Sequence, residues 1–292
     1  MLVAHINHGI RKNAILDEEY VKERCEELKI PLYIKREDVL KVAKRDKISV
    51  EEAGRNVRYN FFEEILEKTN SNKIAIAQNS NDNAETVLLN IFRGSGISGL
   101  KGTMPIRDKK YIRPLIDISR GEIEQYCQEH KLNPRHDESN DESIYTRNKI
   151  RNELIPEIQK NFNPNIISTI NRLSSLAHDE DRYLAEIVGI EFDRICVGND
   201  LPDDLKCRGR HSLQNTIQLN LKQFNNLHIV IKRRLILYTI NKLIGNTTGI
   251  EKIHVDDIIK LCENNIGNKY LTPRKHIKVS IYKGIAKFEK LC

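Results

Sequence analysis

Short apolar runs alternate with longer amphipathic stretches over the first 135 residues of the chain. The runs LVAHI, PLYIKRE and KIAIAQ predict strands, and the stretches between them repeat apolar residues at helical spacing. One such stretch, SVEEAGRNVRYNFFEEILEK, opens on the capping pattern Ser49-x-x-Glu52 and predicts a helix with a defined start. This alternation predicts a parallel sheet with helices on both faces, in which ligands bind at the carboxyl ends of the strands.

The pattern changes after residue 135. From Tyr145 to about Val188 the spacing is almost entirely helical, and we expect a kink at Pro156 and a break at Pro164 because proline cannot donate to the helical ladder. Farther on, HIVIKRRLILYTINKL and VDDIIKLCEN predict helices, and NKYLTP, KHIKVSIY and GIAKFEK predict a short antiparallel meander. We therefore expect four regions: an α/β domain over 1–135, a helical segment over 136–190, a polar linker over 191–225 and a small basic α+β domain over 226–292.

The charge of the chain is distributed unevenly. Its formal net charge is +7, and residues 201–292 hold 17 Lys+Arg against 7 Asp+Glu, a net of +10 that leaves −3 for residues 1–200. Such a basic region suits a polyanionic partner such as nucleic acid, because neutralised phosphates release condensed counterions. A solvated lysine-rich surface is the alternative.

Composition also excludes several classes of protein. No apolar run approaches the roughly eighteen residues of a membrane span, and the first residues carry no basic segment typical of a signal peptide, so we expect a cytoplasmic protein with no membrane partner. The six cysteines form no C-x-x-C pair. This favours reduced thiols over a zinc site, an iron–sulfur cluster or a disulfide framework.

Asp82 and Glu85 are the clearest candidates for chemistry. They lie three residues apart at the start of a predicted helix, directly after a strand, so both carboxylates share one face. Such a pair can hold Mg²⁺ or orient a reacting group. An Asp-x-x-Glu pattern before an apolar run is equally a capping box, and both interpretations stay open.

Several basic side chains are candidates for binding phosphate. Arg55 and Arg58 share the helix that follows Ser49, and the pair Arg147 and Arg151 shares one face of a later helix. Arginine can clamp phosphate through paired hydrogen bonds, although each pair also suits a solvated helix face. His8 follows the first strand and is expected to line a ligand crevice rather than to bind a metal.

Five segments, taken in order, resemble the successive motifs of tRNA(Ile)-lysidine synthetases. They are HINHGIR at 5–11, EEAGRNVRY at 51–59, NDNAETVLLNIFRGSGISGL at 81–100, RPLID at 113–117 and DESNDESIYTRNKIRNELIP at 137–156. The resemblance implies the Rossmann-like, adenine-nucleotide alpha-hydrolase-like α/β fold of N-type ATP pyrophosphatases. It also implies a two-step ligation. ATP adenylates C2 of the wobble cytidine of an isoleucine tRNA with a CAU anticodon, and the ε-amino group of free L-lysine then displaces AMP.

The same resemblance implies roles for individual residues. Asp82, Glu85 and Arg58 match catalytic positions, and the two carboxylates are also implied as ligands of Mg²⁺. The side chains implied to bind ATP are His8, Arg55 and Arg93. The side chains implied to contact tRNA are Arg147, Arg151, Lys232, Arg233, Arg234, Arg274 and Lys275. A homodimer is compatible with the resemblance.

The sequence also departs from the family pattern. The Ser-Gly-Gly-x-Asp-Ser phosphate loop, which precedes the strand LVAHI in the family, is absent here. We therefore expect the domain to lack its first strand and phosphate loop, to expose two strand edges and to need the missing segment for catalysis. Gln78 stands where many members have histidine, and Asn81 replaces a frequent aspartate. The alternatives are a catalytically inactive, truncated tRNA-binding remnant and, disfavoured by the cysteine spacing, a tRNA thiolase of the same superfamily.

Overall fold

The computed structural model describes residues 1–10, 14–135, 146–197, 216–264, 269–274 and 276–291. It divides into two compact units, Met1–Ala177 and His178–Cys292. Lys275 and the stretch 137–145 of the fifth motif lie outside the described residues. A search of the described helices finds none with the length and apolar character to cross a membrane.

The first unit follows the predicted alternation of strands and helices. Its elements up to the fifth motif are β1 (Val3–Asn7), α1 (Ala14–Glu27), β2 (Leu32–Arg36), α2 (Val39–Asp46), α3 (Val50–Lys68), β3 (Ile74–Ala75), α4 (Ser80–Phe92), α5 (Ile97–Leu100), β4 (Ile106–Arg107), β5 (Tyr111–Ile112) and α6 (Arg120–Glu129). Ser49 caps α3 as predicted, because its side chain accepts a hydrogen bond from the Glu52 amide at 3.2 Å.

The strands of this unit form two sheets rather than the single sheet that we expected. β1 pairs in parallel with β2, and β3 pairs in parallel with β5, which pairs antiparallel with β4. Parallel pairing is therefore confirmed, but among the described residues β1 and β3 are both edge strands. The Val3 amide donates to Pro31 and the Asn7 carbonyl accepts from Glu37, so Ala4 and Ile6 turn their backbone groups to the opposite, open edge.

The helical region that begins within the fifth motif contains the two predicted interruptions. Its elements are α7 (Thr146–Lys149), a π-helical turn (Ile150–Leu154), α8 (Ile155–Asn161) and α9 (Ile166–Ile195). Pro156 lies in the first turn of α8, directly after the π-helical turn, and Pro164 lies in the break between α8 and α9. The irregular turn accommodates a residue that has no amide to donate.

A buried polar network holds the start of α4 in place. Asn83, 7% exposed, donates to Asn171 at 3.0 Å and to Ser174 at 3.3 Å, and it accepts from the Thr103 amide at 2.6 Å. Gly102 adopts a left-handed φ of 60°, and a Cβ there would lie 2.2 Å from the Asn83 side-chain oxygen. Only glycine fits this position without displacing the network.

The second unit joins three helices to an antiparallel sheet. After the end of α9, its elements are β6 (Thr216–Asn220), α10 (Leu221–Asn225), α11 (Ile229–Ile244), α12 (Lys252–Asn264), β7 (Tyr270–Arg274), β8 (Ile277–Tyr282) and β9 (Ile285–Lys290). The sheet order is β6-β9-β8-β7, so the predicted meander gains a fourth strand. Two parts of the predicted linker are regular structure, α9 up to Ile195 and Thr216–Asn225, because Phe192, Leu219 and Phe224 pack into the core of this unit.

Candidate functional site

A pocket of about 500 Å³ opens in the first unit where β1 and the chain after β3 end. Its walls include Asn7 and His8 at the end of β1, Ile76 and Gln78 after β3, and Arg58 from α3. Both strands present their carboxyl ends to the pocket, which is where parallel α/β sheets bind ligands. The pocket therefore lies where the sequence pattern predicted a crevice.

One face of α3 supplies basic groups to this pocket. Arg55 and Arg58 are both lining residues, and the Arg58 Nη2 lies 3.3 Å from the His8 Nε2. Their spacing of three residues puts them on the same side of the helix. Arg147 from α7 also lines the pocket. Four of the predicted site residues thus surround one cavity, and three of them carry a permanent positive charge.

Stacked arginine and tyrosine side chains support these basic groups. The Arg55 guanidinium lies 4.9 Å from the centre of the Tyr59 ring, and the Arg107 guanidinium lies 4.6 Å from Tyr59 and 4.3 Å from Tyr111. The two rings meet edge to face at 5.1 Å. Burial raises the pKa of Tyr111 to about 12, and its hydroxyl donates to Glu63, so the phenol stays neutral. Such contacts each stabilise by about 0.5–1 kcal/mol at exposed sites.

A buried arginine lies behind the pocket wall. Arg113, from the RPLID segment, is 6% exposed. Its Nε donates to the Gln78 side-chain oxygen, and its Nη1 donates to the Met104 carbonyl at 2.5 Å. Burial lowers the pKa of the Arg113 guanidinium from a high starting value, so it remains charged at neutral pH. Gln78, which stands where many family members have histidine, therefore gives the buried Arg113 guanidinium a neutral hydrogen-bond acceptor.

The predicted carboxylate pair and the predicted arginine pair form one cluster. The Glu85 carboxylate, 1% exposed, accepts from Arg147 Nε at 2.8 Å, from Arg151 Nε at 2.6 Å and from Arg151 Nη2 at 2.9 Å. Arg151 Nη2 also donates to Asp82 at 2.9 Å. The second Asp82 oxygen accepts from the Asn79 amide at 3.1 Å. The capping box of α4 is therefore Asn79 with Asp82, and not Asp82 with Glu85.

This cluster does not fit the predicted Mg²⁺ site. Both oxygens of Glu85 and both oxygens of Asp82 already accept hydrogen bonds. A divalent cation would also lie beside two guanidinium groups, whereas Mg²⁺ needs free oxygen ligands at near-octahedral geometry. Within the part of the chain that the structure describes, no group of three His, Cys, Asp or Glu side chains could hold a metal ion. We assign no step of a reaction to a metal held by this pair.

Arg93 is not among the residues that line the pocket, and the remaining predicted residues belong to the second unit. Arg93 is the exposed C-cap of α4, and it follows Asp82 by eleven positions, roughly 16 Å along the helix at about 1.5 Å per residue. On α11, three cations form ion pairs within the second unit, namely Lys232 with Glu263 at 2.8 Å, Arg233 with Asp256 at 3.0 Å and Arg234 with Asp181 at 2.7 Å. Arg274 ends β7. The predicted tRNA contacts at these positions remain predictions.

Sequence reasoning assigned no role to Tyr59, Arg107 or Arg113, which brace the pocket wall. Arg113 belongs to the RPLID motif, and that motif was the sequence signal that could have identified it as a site residue. Arg107 follows no pattern, because its place depends on the antiparallel pairing of β4 with β5.

Comparison with known proteins agrees with the motifs. Residues 1–158 match the family described as PP-loop domain. The chain is 43% identical over 271 residues to the tRNA(Ile)-lysidine synthase of Clostridium acetobutylicum, covering 92% of this chain and 56% of that protein. It is 43% identical over 279 residues to the tRNA(Ile)-lysidine synthase of Clostridium tetani, covering 95% of this chain and 56% of that protein. The chain thus spans little more than half the length of these curated relatives.

A solved structure gives a weaker match. The U34-tRNA thiolase NcsA from Methanococcus maripaludis aligns with a TM-score of 0.49 at 20% sequence identity, covering 61% of this chain and 62% of that one. This similarity is too low to assign a function. The family match covers more than half of the chain, and it includes every residue that lines the pocket. By that match the chain belongs to the PP-loop domain family, whose fold is the adenine-nucleotide alpha-hydrolase-like α/β fold.

Proposed function

We propose that this chain forms the catalytic part of an ATP-dependent carbon–nitrogen ligase that attaches lysine to an isoleucine tRNA with a CAU anticodon. One observation carries the proposal. The identity with tRNA(Ile)-lysidine synthases extends over more than nine-tenths of this chain, and the motifs that it shares with them supply the walls of a single basic pocket. ATP, free lysine and the tRNA are the proposed substrates.

The proposed reaction has two balanced steps. The oxygen on C2 of the wobble cytidine attacks the α-phosphorus of ATP, and pyrophosphate leaves. The neutral ε-amino group of lysine then attacks C2, AMP leaves with the C2 oxygen, and the amine gives up its protons. The product base keeps the C2–N bond to lysine.

The basic pocket suits the first step. Negative charge develops on the departing pyrophosphate, and fixed cationic groups stabilise it best where water is partly excluded. Arg55, Arg58 and Arg147 line the pocket, and Arg113 adds a charge behind Gln78. We propose that Arg55 and Arg58 hold the phosphates of ATP, because Arg147 is already paired with Glu85 and Arg113 is buried.

The two carboxylates of the acidic pair, Asp82 and Glu85, differ in how well they suit the second step. The Asp82 side chain is 18% exposed and the Glu85 side chain 1% exposed. An incoming lysine ammonium can therefore reach Asp82 more readily than Glu85. We propose that Asp82 holds the lysine amine and accepts its proton, since an ammonium is not nucleophilic, whereas Glu85 holds the two arginines.

The thiolase alternative finds no support in the cysteines. Burial raises the pKa of the Cys25 thiol, and it raises that of Cys262 to about 12. Thiols of this kind stay protonated at neutral pH and are poor nucleophiles. A tRNA-binding protein without catalysis remains the second candidate, and it is separated from the ligase by experiment.

The test compares two arginine variants in an assay of ATP-dependent incorporation of labelled lysine into the tRNA. Arg58→Ala removes a cation from the pocket, and we expect kcat/KM to fall on the order of a hundredfold. Arg45→Ala removes an exposed arginine from α2 that pairs with Asp46 and does not line the pocket, and it should leave the rate unchanged. Equal rates in both variants would overturn the assignment of the pocket. Tight tRNA binding without incorporation would favour the second candidate.

A further inference from the structure

The sheet of the second unit has one apolar face and one polar face. The side chains of Ile277, Val279 and Ile281 on β8 are buried in the core, as is Phe288 on β9. Because side chains alternate along a strand, the residues between them lie on the opposite face. The register then groups that face into rows across neighbouring strands, with Tyr270 opposite Ser280, Ser280 opposite Lys287, and Tyr282 opposite Ile285.

Lys278 and two exposed tyrosines occupy this polar face, and Lys283 adjoins it in the turn between β8 and β9. Tyr270 is 61% exposed and Tyr282 is 60% exposed. The Lys278 ammonium lies 4.9 Å from the centre of the Tyr270 ring, and the Lys283 ammonium lies 5.3 Å from the centre of the Tyr282 ring. These contacts hold the ammonium groups on the face while leaving them in reach of solvent.

The basic excess of the chain is concentrated around this face. Residues 269–291 contain seven Lys and Arg and a single acidic residue, Glu289, a net of +6 out of the +10 of residues 201–292. Glu289 pairs with Lys287 at 2.6 Å. Among the described residues, no carboxylate forms an ion pair with Lys278 or Lys283. Three cations of α11 differ in this respect, because a carboxylate of the same unit forms an ion pair with each of Lys232, Arg233 and Arg234.

This division separates cations that stabilise the fold from cations that remain available to a partner. An ion pair within the protein has already neutralised its cation, so a phosphate gains less by approaching it. Lys278 and Lys283 gain more, because the one carboxylate on this face, Glu289, lies opposite Lys278 in the register but forms its ion pair with Lys287. The hydroxyl groups of the exposed tyrosines add hydrogen-bond donors to the same face.

From this arrangement we infer that the polar face of the sheet β6-β9-β8-β7, centred on Lys278 and Lys283, binds the phosphate backbone of tRNA. The α11 cations instead serve the packing of their own unit. The inference takes the identity of the RNA from the proposed function. The contact itself is electrostatic and does not depend on lysine incorporation.

The experiment measures how the dissociation constant of fluorescent tRNA depends on salt. Lys278→Gln combined with Lys283→Asn removes two charges from the face, and asparagine suits the left-handed φ of 47° at position 283. The matched control, Lys222→Gln combined with Lys260→Gln, removes two charges from exposed positions on α10 and α12. Thermal melting of each variant shows whether its fold is retained.

We expect the plot of the logarithm of the association constant against the logarithm of the salt concentration to become less steep by about 2 in the face variant. Each lost phosphate contact removes about 0.9 from the magnitude of the slope. The dissociation constant at low salt should rise on the order of tenfold. The control should change neither quantity. Equal changes in the face variant and the control, or no change in either, would overturn the inference. A changed salt slope in the face variant, together with no lysine incorporation by the unsubstituted protein, would count against the proposed function alone.

Discussion

At the scale of the residue, burial changes what a carboxylate can do. Glu85 looks like a metal ligand in the sequence, since it lies three positions after Asp82 at the start of a helix. In the structure its two oxygens accept three hydrogen bonds from Arg147 and Arg151. A carboxylate in this position pairs with two cations, a charge that it shares with Asp82, and joins α4 to the helical turns within the fifth motif.

Glu85→Gln tests this assignment. The substitution keeps the shape of the side chain but leaves two partly buried guanidinium groups without their anion. We expect the free energy of unfolding to fall by about 2 kcal/mol, measured by urea denaturation. If Glu85 instead served a metal alone, its substitution in metal-free buffer would relieve repulsion and leave stability unchanged or increased.

Glu18 is a second buried carboxylate and governs the response to pH. It accepts from Arg36 at 2.7 and 2.9 Å, and it pairs with Lys22 at 2.7 Å. Hydrogen bonds from Arg36 first, then from Lys22, hold the pKa of Glu18 well below its usual range. A depressed pKa means that the stabilisation is present above the unfolded-state value of about 4.3 and is lost as pH falls through the folded-state value.

Glu18→Gln should therefore lower the free energy of unfolding by about 2 kcal/mol at neutral pH. The difference from the unsubstituted protein should shrink as the pH drops below about 4, because the carboxylate of the unfolded state then takes up a proton while the native carboxylate stays ionised. Denaturant titrations at several pH values measure it. A difference that stays constant down to pH 3 would contradict the ion-pair account.

At the scale of the element, the sequence predicts helices better than strands. The start of α3 at Ser49 and that of α6 at Ser119 are marked by capping side chains, which are local signals. β3 spans only Ile74–Ala75 although KIAIAQ predicts a longer strand, because its extent depends on pairing with β5. β6 was not predicted at all, since Thr216–Asn220 is polar in part and becomes a strand through pairing with β9.

The loop after α5 offers a test at this scale. Gly102→Ala places a methyl group against the Asn83 side chain and disturbs its hydrogen bonds to α9 and to Thr103. Gly94→Ala is the matched control, because Gly94 has a similar φ of 73° but no atom within 4 Å of the added carbon. We expect about 1 kcal/mol of destabilisation for the control from backbone strain alone. The Gly102 variant should lose about 3 kcal/mol, since buried polar groups lose partners. Equal losses, compared by thermal melting, would show that the network does not constrain the loop.

At the scale of the whole molecule, the chain separates two kinds of basic surface into two units. The first unit gathers arginines around a pocket at the strand ends, and the second unit carries lysines on an exposed sheet face. Motif order was enough to predict the α/β class and to single out four of the residues that line the pocket, namely His8, Arg55, Arg58 and Arg147, because these lie directly after a strand or on a helix face. The motifs could not predict which cations are neutralised, because Lys232 and Arg234 meet their acidic partners only through tertiary packing.

The central proposal is that this chain forms the catalytic part of an enzyme that joins lysine to tRNA at the expense of ATP. The most direct test incubates the protein with ATP, labelled lysine and an isoleucine tRNA bearing a CAU anticodon, and counts products. We predict equal amounts of tRNA-bound lysine, AMP and pyrophosphate, with the lysine on the wobble cytidine and none when that base is replaced by uridine. Pyrophosphate release that does not depend on tRNA and lysine, or bound tRNA that gains no lysine, would contradict the claim.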